Sequence, residues 1–237
     1  YALLEKGASY LSLSAGFRNT ATASLLIEPF FDIEKIYKRG FSLDGSFGYF
    51  VKNNVAVGIE GGYHLSDLRL RVSSDLLQLL INSRDYETNN AGSSFWLGFF
   101  VKNFIHLDPA HRIFMITQTS LFYSRGTPVA RNIYNDGAML HKVYQQSDKG
   151  GVKLSLGVSY FVAKGFAMEF KVSPVAVYYQ NNRVLNNETL RGRFAGGGFN
   201  TLFNPIDMQF GLSYFFGLDY EKNAKHLSNF YKNHTKR

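Results

Sequence analysis

The sequence contains no cysteine and no long apolar run, and each absence excludes a class of protein. Without cysteine the chain can form neither a disulfide framework nor a thiolate metal site, and the given stretch offers no residue for a lipoprotein anchor. Because no window of about eighteen residues is uninterruptedly apolar, a transmembrane helix is not expected. No charged and apolar leader follows Tyr1, which predicts that any signal peptide has been removed or lies outside the given chain.

Proline and tryptophan are scarce: the 237 residues include five prolines and one tryptophan. Glycine, phenylalanine and tyrosine are abundant, with 22 glycines, 22 phenylalanines and 15 tyrosines. This length suits one large all-β domain or two small ones. Aromatic side chains in such numbers need an apolar environment. Their place in the local pattern therefore indicates which solvent surrounds the fold.

Eight segments alternate bulky apolar residues with small or polar ones, as a β-strand with two different faces does. In the clearest of them, residues 152–160, five apolar side chains alternate with Lys153, Ser155, Gly157 and Ser159. The eight segments are 11–17, 41–49, 55–65, 93–105, 112–124, 152–160, 166–173 and 206–216. The pattern predicts eight strands and an all-β fold.

The connections between these strands alternate in length. Short turns are expected at 51–54, 106–111 and 162–165, the first around Asn53 and Asn54, because asparagine tolerates the positive φ of a tight turn. Long connections are expected at roughly 19–40, 66–92, 125–150 and 180–204. An up-and-down order then gathers the short turns at one end and the long connections at the other, which is typical of outer-membrane barrels.

The less apolar strand face consists mostly of glycine, serine and alanine with isolated charges. A soluble barrel would turn a face rich in lysine and glutamate to water, whereas a narrow eight-stranded lumen takes small side chains and a few paired polar ones. The apolar face is therefore expected to contact lipid, in which a closed barrel leaves no backbone group unpaired. Aromatic residues near the strand ends are predicted to form two interfacial girdles: Tyr10, Tyr49, Phe50, Tyr63, Tyr123, Tyr160, Tyr178 and Tyr179.

Two stretches resemble a known family. GFSLDGSFGYFVKNNVAVGIEGGY (40–63) and DMQFGLSYFF (207–216) are similar to a recurring hairpin and to the terminal strand of small outer-membrane β-barrels of Gram-negative bacteria, particularly the Bacteroidetes versions. The resemblance implies an OmpX- or OmpA-like eight-stranded antiparallel up-and-down transmembrane barrel over residues 1–216. It also implies short periplasmic turns, long extracellular loops and both termini in the periplasm. Residues 217–237 depart from the family and are expected to form a basic periplasmic tail.

Strand parity places a set of polar residues on the inner face. We interpret this set as a paired polar network that fills the lumen, because unpaired charges in so narrow a space would be costly; a proton or ion path is the alternative. The residues are Asp44, Glu60, His64, Lys153, Glu169, Lys171, Asp207 and Gln209.

His64 and Ser66 have the i, i+2 spacing that brings a base and a nucleophile together on one strand face. The arrangement resembles that of outer-membrane lipid A deacylases, but those enzymes work from the lipid-facing wall, whereas His64 shares the inner face with Glu60. A non-enzymatic protein without metal or cofactor is therefore expected, with a lipid A-modifying enzyme as the least favoured alternative.

The long connections and the tail carry residues suited to binding. Basic side chains predicted to contact lipopolysaccharide phosphates are Arg125, Arg131, Lys142, Arg183, Arg191 and Arg193, which account for part of the net charge of +8 without nucleic acid. Apolar side chains that could contact other envelope proteins are Leu76, Leu77, Leu80, Ile81, Leu227, Phe230 and Tyr231. For those in 76–81, the alternatives are that they cap the barrel mouth or extend a hairpin. The leading hypothesis is a structural or accessory subunit of a larger envelope complex. The main alternative is an autonomous surface barrel acting as an adhesin or a small pore.

Overall fold

The computed structural model describes residues 4–27, 31–73, 85–108, 112–134, 139–186, 193–200 and 208–218, with side chains for 4–17, 39–69, 88–108, 112–131, 142–185, 196 and 208–218. These residues form ten strands. They are β1 (Ser9–Ile27), β2 (Phe31–Lys52), β3 (Val55–Ser73), β4 (Asp85–His106), β5 (Ile113–Gly126), β6 (Val129–Tyr134), β7 (Met139–Ala163), β8 (Phe166–Asn186), β9 (Arg193–Asn200) and β10 (Met208–Phe216). No helix long and apolar enough to cross a membrane lies in this part of the chain.

Eight of the strands form a closed antiparallel ring. Each pairs with the next in the order β1, β2, β3, β4, β5, β7, β8 and β10. The ring closes where β10 returns to β1, from Ser9 opposite Phe216 to Phe17 opposite Met208. Within the ring, every strand is paired on both sides, so no strand edge is free. The prediction of an eight-stranded up-and-down barrel is confirmed.

The two short strands β6 and β9 continue strands of the ring. β5 pairs with β4 as far as Gly126 opposite Ser94, and β6 then resumes along the same partner from Val129 opposite Ala91. Pro128 lies in the gap, and proline cannot donate to a ladder. β9 and β10 both pair with β8, so they likewise lie one after the other along the same neighbouring strand.

The long connections contain much more strand than the sequence pattern indicates. β1 and β2 stay paired from Phe17 opposite Phe41 up to Ile27 opposite Phe31, across the expected loop at 19–40. β3 and β4 stay paired up to Ser73 opposite Asp85. The outer-face apolar period of the ring does not continue regularly into these segments, but the backbone ladder does not need it. At about 3.4 Å per residue, the ten residues of β1 beyond Phe17 extend about 34 Å.

The short turns lie together at the opposite end, as predicted. Asn53 and Asn54 connect β2 to β3, and Asn54 has a φ of 64°, in the region that asparagine tolerates. Gly165 has a φ of 73° in the turn between β7 and β8. In the connection after β4, the Asp108 carboxylate accepts hydrogen bonds from the backbone N–H groups of Arg112 at 2.8 Å and Ile113 at 2.7 Å.

The outer face of the ring is a continuous apolar surface. Phe99 is 65% exposed and its neighbour Phe100 only 3%, which shows how completely the two faces of β4 separate. Five of the eight predicted girdle residues lie on the outside: Tyr49, Tyr63, Tyr123, Tyr160 and Tyr179. An exposed apolar surface that encircles a barrel fits lipid rather than water as its surroundings.

The interior at the turn end is filled by aromatic rings, contrary to the girdle prediction for Tyr10 and Phe50. Both are fully buried inside the barrel. They belong to an aromatic layer of seven side chains whose neighbouring ring centroids lie 4.9–6.3 Å apart: Tyr10, Phe50, Phe100, Phe104, Phe114, Phe161 and Phe215. The Tyr10 ring occupies the space that a Cβ at Gly48 would need.

The N-terminal segment covers the aromatic layer from the turn side. Leu4 is 1% exposed, and its carbonyl accepts a hydrogen bond of 2.8 Å from the Asn54 backbone N–H. Gly7 donates its backbone N–H to the Phe50 carbonyl at 2.9 Å. Leu218, just after β10, is also buried in this cluster. The turn end is therefore closed by aromatic side chains and by the chain itself.

Replacing Phe215 by alanine is expected to lower the free energy of unfolding by about 3–5 kcal/mol, because it leaves a cavity between packed rings. The matched control is Phe216→Ala on the outer face, where acyl chains fill the vacated space, so a smaller loss is expected. Urea unfolding of the protein refolded in lipid vesicles measures both values. An equal or larger loss at Phe216 would contradict the aromatic layer.

Candidate functional site: the polar lumen and its mouth

A buried ion pair lies directly against the aromatic layer. The Lys102 ammonium donates to both carboxylate oxygens of Glu169, at 2.9 and 2.8 Å, and neither side chain is more than 1% exposed. The same nitrogen lies 4.8 Å from the ring centroid of Tyr10 and 4.9 Å from that of Phe104. A carboxylate and two ring faces thus surround the ammonium and replace the water that it loses.

Glu60 is the centre of a second group of polar side chains, which lies nearer the hairpin end than the Lys102–Glu169 pair. Its carboxylate accepts a hydrogen bond from the Gln118 amide at 2.8 Å and faces the Lys153 ammonium at 3.7 Å. Gln118 also donates to the Ser120 hydroxyl at 3.1 Å. The Lys153 nitrogen lies 4.4 Å from the ring centroid of Trp96. These residues come from β3, β4, β5 and β7, and alternation along each strand turns them inward.

Asp44 connects three strands toward the hairpin end. Its Oδ1 accepts from the Trp96 indole N–H at 2.7 Å, and its Oδ2 accepts from the Ser42 hydroxyl at 2.9 Å and the Gln209 amide at 3.0 Å. Both oxygens are therefore engaged. The indole ring is held in one orientation by this bond.

Most of the residues predicted for the lumen network lie inside the barrel. Those that are buried are Asp44, Glu60, Glu169 and Lys171, whereas His64, Lys153 and Gln209 are partly exposed to the lumen. The structure joins Lys153 to Glu60 and Gln209 to Asp44. Asp207 lies outside the described residues. The role of the set remains a prediction.

Sequence reasoning missed three members of this network: Lys102, Trp96 and Gln118. The pattern of β4 contains the signal, because Phe95, Leu97, Phe99 and Val101 on the lipid face place the even-numbered residues inside. With Lys102 included, three ammonium groups and three carboxylates face the lumen from the strands at these levels, among the side chains that the structure describes. The ammonium groups are Lys102, Lys153 and Lys171, and the carboxylates are Asp44, Glu60 and Glu169.

A cavity of about 260 Å³ lies on the hairpin side of this network. We call it the mouth cavity. The residues that line it are Gly16, Phe17, Gly40, Ser42, Asp44, His64, Ser94, Trp96, Phe122, Ser124, Lys149, Lys153, Ala176, Tyr178, Met208 and Gln209. Tyr178, expected in a girdle, instead faces this cavity, and the Lys149 ammonium lies 3.8 Å from its ring centroid.

His64 lies on the wall of the mouth cavity. It is in register with Ser42 on β2 and Ser94 on β4, and its ring lies beside Gly40. The lipid A hypothesis requires a base that reaches the lipid-facing wall, whereas this imidazole is on the other side of that wall. In the described part of the chain, no group of three or more histidine, aspartate or glutamate residues is arranged to hold a metal ion.

Basic side chains project from the upper strands. Arg125 lies 3.6 Å from Asp148, which also accepts a hydrogen bond of 2.8 Å from the Tyr123 hydroxyl. Arg131 on β6 is in register with Lys142 on β7, and both are exposed. Like charges placed directly opposite each other in a sheet are unfavourable unless an anion lies between them.

The remaining predicted contact residues are only partly covered by the structure. Arg183 is exposed on β8, in register with Arg193 on β9, whose side chain is not described. Outside the described residues lie Arg191, Leu76, Leu77, Leu80, Ile81, Leu227, Phe230 and Tyr231. Their contacts with lipopolysaccharide or envelope proteins stay predictions.

No protein-family model matches this sequence, and no curated protein matches it. Several solved structures are similar at low identity. The outer membrane protease OmpT from Escherichia coli is 10% identical with a TM-score of 0.46, over 91% of this chain and 99% of that chain. The outer membrane protein OprG from Pseudomonas aeruginosa is 11% identical with a TM-score of 0.44, over 90% and 97%. Neisserial surface protein A is 14% identical with a TM-score of 0.31, over 88% and 99%. The barrel assignment rests on the strand pairing of this chain.

Lys102→Met is expected to lower the free energy of unfolding by about 3–5 kcal/mol, because it leaves the Glu169 carboxylate buried without its cation. The double variant Lys102→Met, Glu169→Gln should lose less than Lys102→Met alone. Urea unfolding in lipid vesicles measures all variants. The control is Lys52→Met at the exposed end of β2, expected to change stability by at most about 0.5 kcal/mol. Equal losses at Lys102 and Lys52 would show that the pair is not buried as described.

Proposed function

We propose that this chain is a non-conducting outer-membrane β-barrel of a Gram-negative bacterium that serves as a structural or accessory subunit of a larger envelope complex. The observation that carries the proposal is a lumen filled at one end by the aromatic layer, beneath paired strands that continue past the ring at the other end. Such a barrel holds binding surfaces at the membrane without offering a path through it. The hairpins and the tail are then the parts of the protein that bind its partners.

The outer-membrane placement and its orientation are supported by the asymmetry of the barrel. Closed barrels with an apolar outer face, short turns at one end and long hairpins at the other are typical of that membrane, with the short turns in the periplasm. The N-terminal segment lies against the turn of Asn53 and Asn54, and β10 ends opposite Ser9 at the same end. Both termini are therefore proposed to be periplasmic. The resemblance of residues 40–63 to Bacteroidetes-type barrels agrees with this placement.

The filled lumen argues against the small-pore alternative. An ion that crossed the barrel would have to pass the Lys102–Glu169 pair and then the seven packed rings. The pair would have to break and the rings would have to separate, and both changes are costly in a close-packed interior. The network at Glu60 and Asp44 is better explained as a polar filling that fixes the positions of the strands.

The upper strands supply the surfaces for binding. The opposed Arg131 and Lys142, together with Arg125 and Arg183, form a basic region suited to the phosphate groups of lipopolysaccharide. The apolar segment around Leu76–Ile81 and the tail residues Leu227, Phe230 and Tyr231 are proposed to contact partner proteins. An adhesin would use the same upper strands toward another cell, so the partners of the protein in its own membrane distinguish the two functions.

The unaltered protein is expected to show no conductance above the lipid baseline in planar bilayers, because the aromatic layer fills the lumen. Replacing Phe50, Phe104 and Phe215 together by alanine should open a conducting path. Stable unit steps in the unaltered protein that change on Glu169→Gln would contradict the proposal and favour a pore.

Purification from its native membrane in mild detergent is expected to recover the full chain with other envelope proteins, identified by mass spectrometry. A variant ending at Leu218 lacks the tail and should lose the periplasmic partners while still folding as a barrel. The control is a variant with alanine at Lys222, Lys225 and Lys232, which keeps the apolar tail residues. A solitary monomer on native gels would overturn the subunit function and leave the adhesin as the better explanation.

A further inference from the structure

We propose that a polar patch on the lipid-facing side of β4 and β5 is the contact through which two copies of this chain associate side by side in the membrane. The polar patch consists of Asn103, Thr117 and Thr119. The inference goes beyond the proposed function and does not depend on it, because a complex subunit and an adhesin could each be built on a pair of barrels. It rests on where these side chains lie, on the hydrogen bonds that they lack and on the surface beside them.

The polar patch stands alone on an otherwise apolar surface. At the outward positions of the ring that the structure describes, every residue other than these three is apolar, a glycine or a tyrosine. These positions are every second residue, starting from the first, of 11–17, 41–49, 57–65, 95–105, 115–123, 152–160, 166–172 and 208–216. Asn103 is in register with Thr117, and Thr119 is the next outward residue of β5, so the three lie side by side. A surface in contact with lipid alone gives no reason to gather its polar side chains at one place.

The polar patch lies inside the apolar band and not at its edge. On the turn side, Ile105 and Met115 are in register and 44% and 37% exposed. On the hairpin side, Phe99 and Leu121 are in register and 65% and 60% exposed. An amide or a hydroxyl between these two pairs has acyl chains around it, and acyl chains offer no hydrogen bond.

The barrel itself leaves most hydrogen-bonding groups of the polar patch unused. The Asn103 amide donates to the Thr117 hydroxyl at 3.4 Å, which is a long bond. An asparagine side chain has two N–H donors and one carbonyl acceptor, and a threonine hydroxyl both donates and accepts. Among the described residues, neither the Asn103 side-chain carbonyl nor the Thr119 hydroxyl has a hydrogen-bond partner. A partner outside the barrel is therefore needed to satisfy them.

A second copy of the chain supplies these bonds. Two barrels inserted in the same orientation are related by a two-fold axis along the membrane normal, which brings the same residues together at the same depth. Because amide and hydroxyl groups both donate and accept, the polar patch is complementary to itself. It contains no charged side chain, so association brings no like charges together. An acyl chain covers the polar patch without forming any of these bonds.

A groove beside the polar patch gives the facing copy room to approach. Its volume is about 550 Å³, and Thr119 is part of its lining. Gly58 contributes no side chain and Val101 only a short one, whereas Phe99 and Leu121 project beside them. The projecting side chains of one copy can therefore lie in the groove of the other. Close packing of this kind, together with hydrogen bonds, drives association in lipid, where the hydrophobic effect does not act between spans.

Because the chain contains no cysteine, one thiol can be placed at a time. Asn103→Cys, Thr117→Cys and Thr119→Cys are each refolded in lipid vesicles without other proteins and oxidised with copper phenanthroline. We expect a disulfide-linked dimer from at least one of them, because residues beside a two-fold axis come within disulfide reach of their own copies. The matched control is Leu13→Cys on the opposite side of the ring, 60% exposed to lipid, which should stay monomeric.

Energy transfer between copies labelled at Lys52→Cys, exposed at the turn end, measures association without a covalent link. Asn103→Leu with Thr117→Val and Thr119→Val nearly keeps the size of each side chain and removes its hydrogen-bonding groups. This variant is expected to fold, because lipid suits apolar residues, and to need at least tenfold more protein per lipid for half-maximal transfer. The control, Leu13→Val with Leu212→Val, should associate like the unaltered protein.

Three results would overturn the proposal: equal cross-linking by Leu13→Cys, no dimer from any cysteine of the polar patch, or unchanged energy transfer in the variant that lacks its polar groups. In the native membrane, cross-linking of these cysteines to a different protein instead of a second copy would overturn it as well. The vesicle experiments contain no other protein, so their outcome is independent of whether envelope partners co-purify with the chain.

Discussion

The interior of an eight-stranded barrel is so narrow that its own side chains have to fill it, and the rest of this structure depends on that constraint. Above the aromatic layer the strands alternate large residues outside with small residues inside, and five of the inward charges have partners: Lys102 with Glu169, Lys153 with Glu60, and Asp44 with Trp96, Ser42 and Gln209. At the turn end the filling is aromatic; at the middle it is an ion-paired network. Only toward the hairpins, where the lining changes to serine and glycine, does a cavity remain.

The order of these levels follows from the cost of burying charge. Among the residues that the structure describes, Lys102 and Glu169 are the deepest charged pair, and they combine the shortest ion pair with two aromatic faces against the ammonium. Glu60 and Lys153 lie nearer the mouth and tolerate a longer separation of 3.7 Å, because the lysine is partly exposed there. Of these two pairs, the one less accessible to water has the shorter separation, which agrees with the stronger attraction between charges in a less polar medium.

The strand count and the inner set of residues could be predicted because the side-chain period is two and lipid demands an apolar outer face. Tyr10 and Phe50 show the limit of that reasoning, because a bulky aromatic residue near a strand end suits either an interfacial girdle or the barrel interior. Only strand parity distinguishes the two positions: Tyr10 shares its strand face with Ser12, and Phe50 shares its strand face with Gly48. The pairing of Lys102 with Glu169, 67 residues apart, could not be predicted, because it depends on the stagger of the strands around the ring. The upper strands were missed because the apolar alternation of the ring does not continue into them with the same parity: Leu65 shares the outer face of β3, whereas Leu68, Leu70 and Val72 have the opposite parity.

The closure of the ring by β1 and β10 has a kinetic consequence. Ser9 pairs with Phe216, so the first strand obtains its second neighbour only after the last strand is available. Contacts of such large sequence separation form slowly, because a long loop must close before they contribute any stability. During that interval the apolar outer faces and the edges of both terminal strands are exposed, which is a state prone to aggregation. The chain must therefore be kept apart from its own copies until its final strand has been delivered to the membrane.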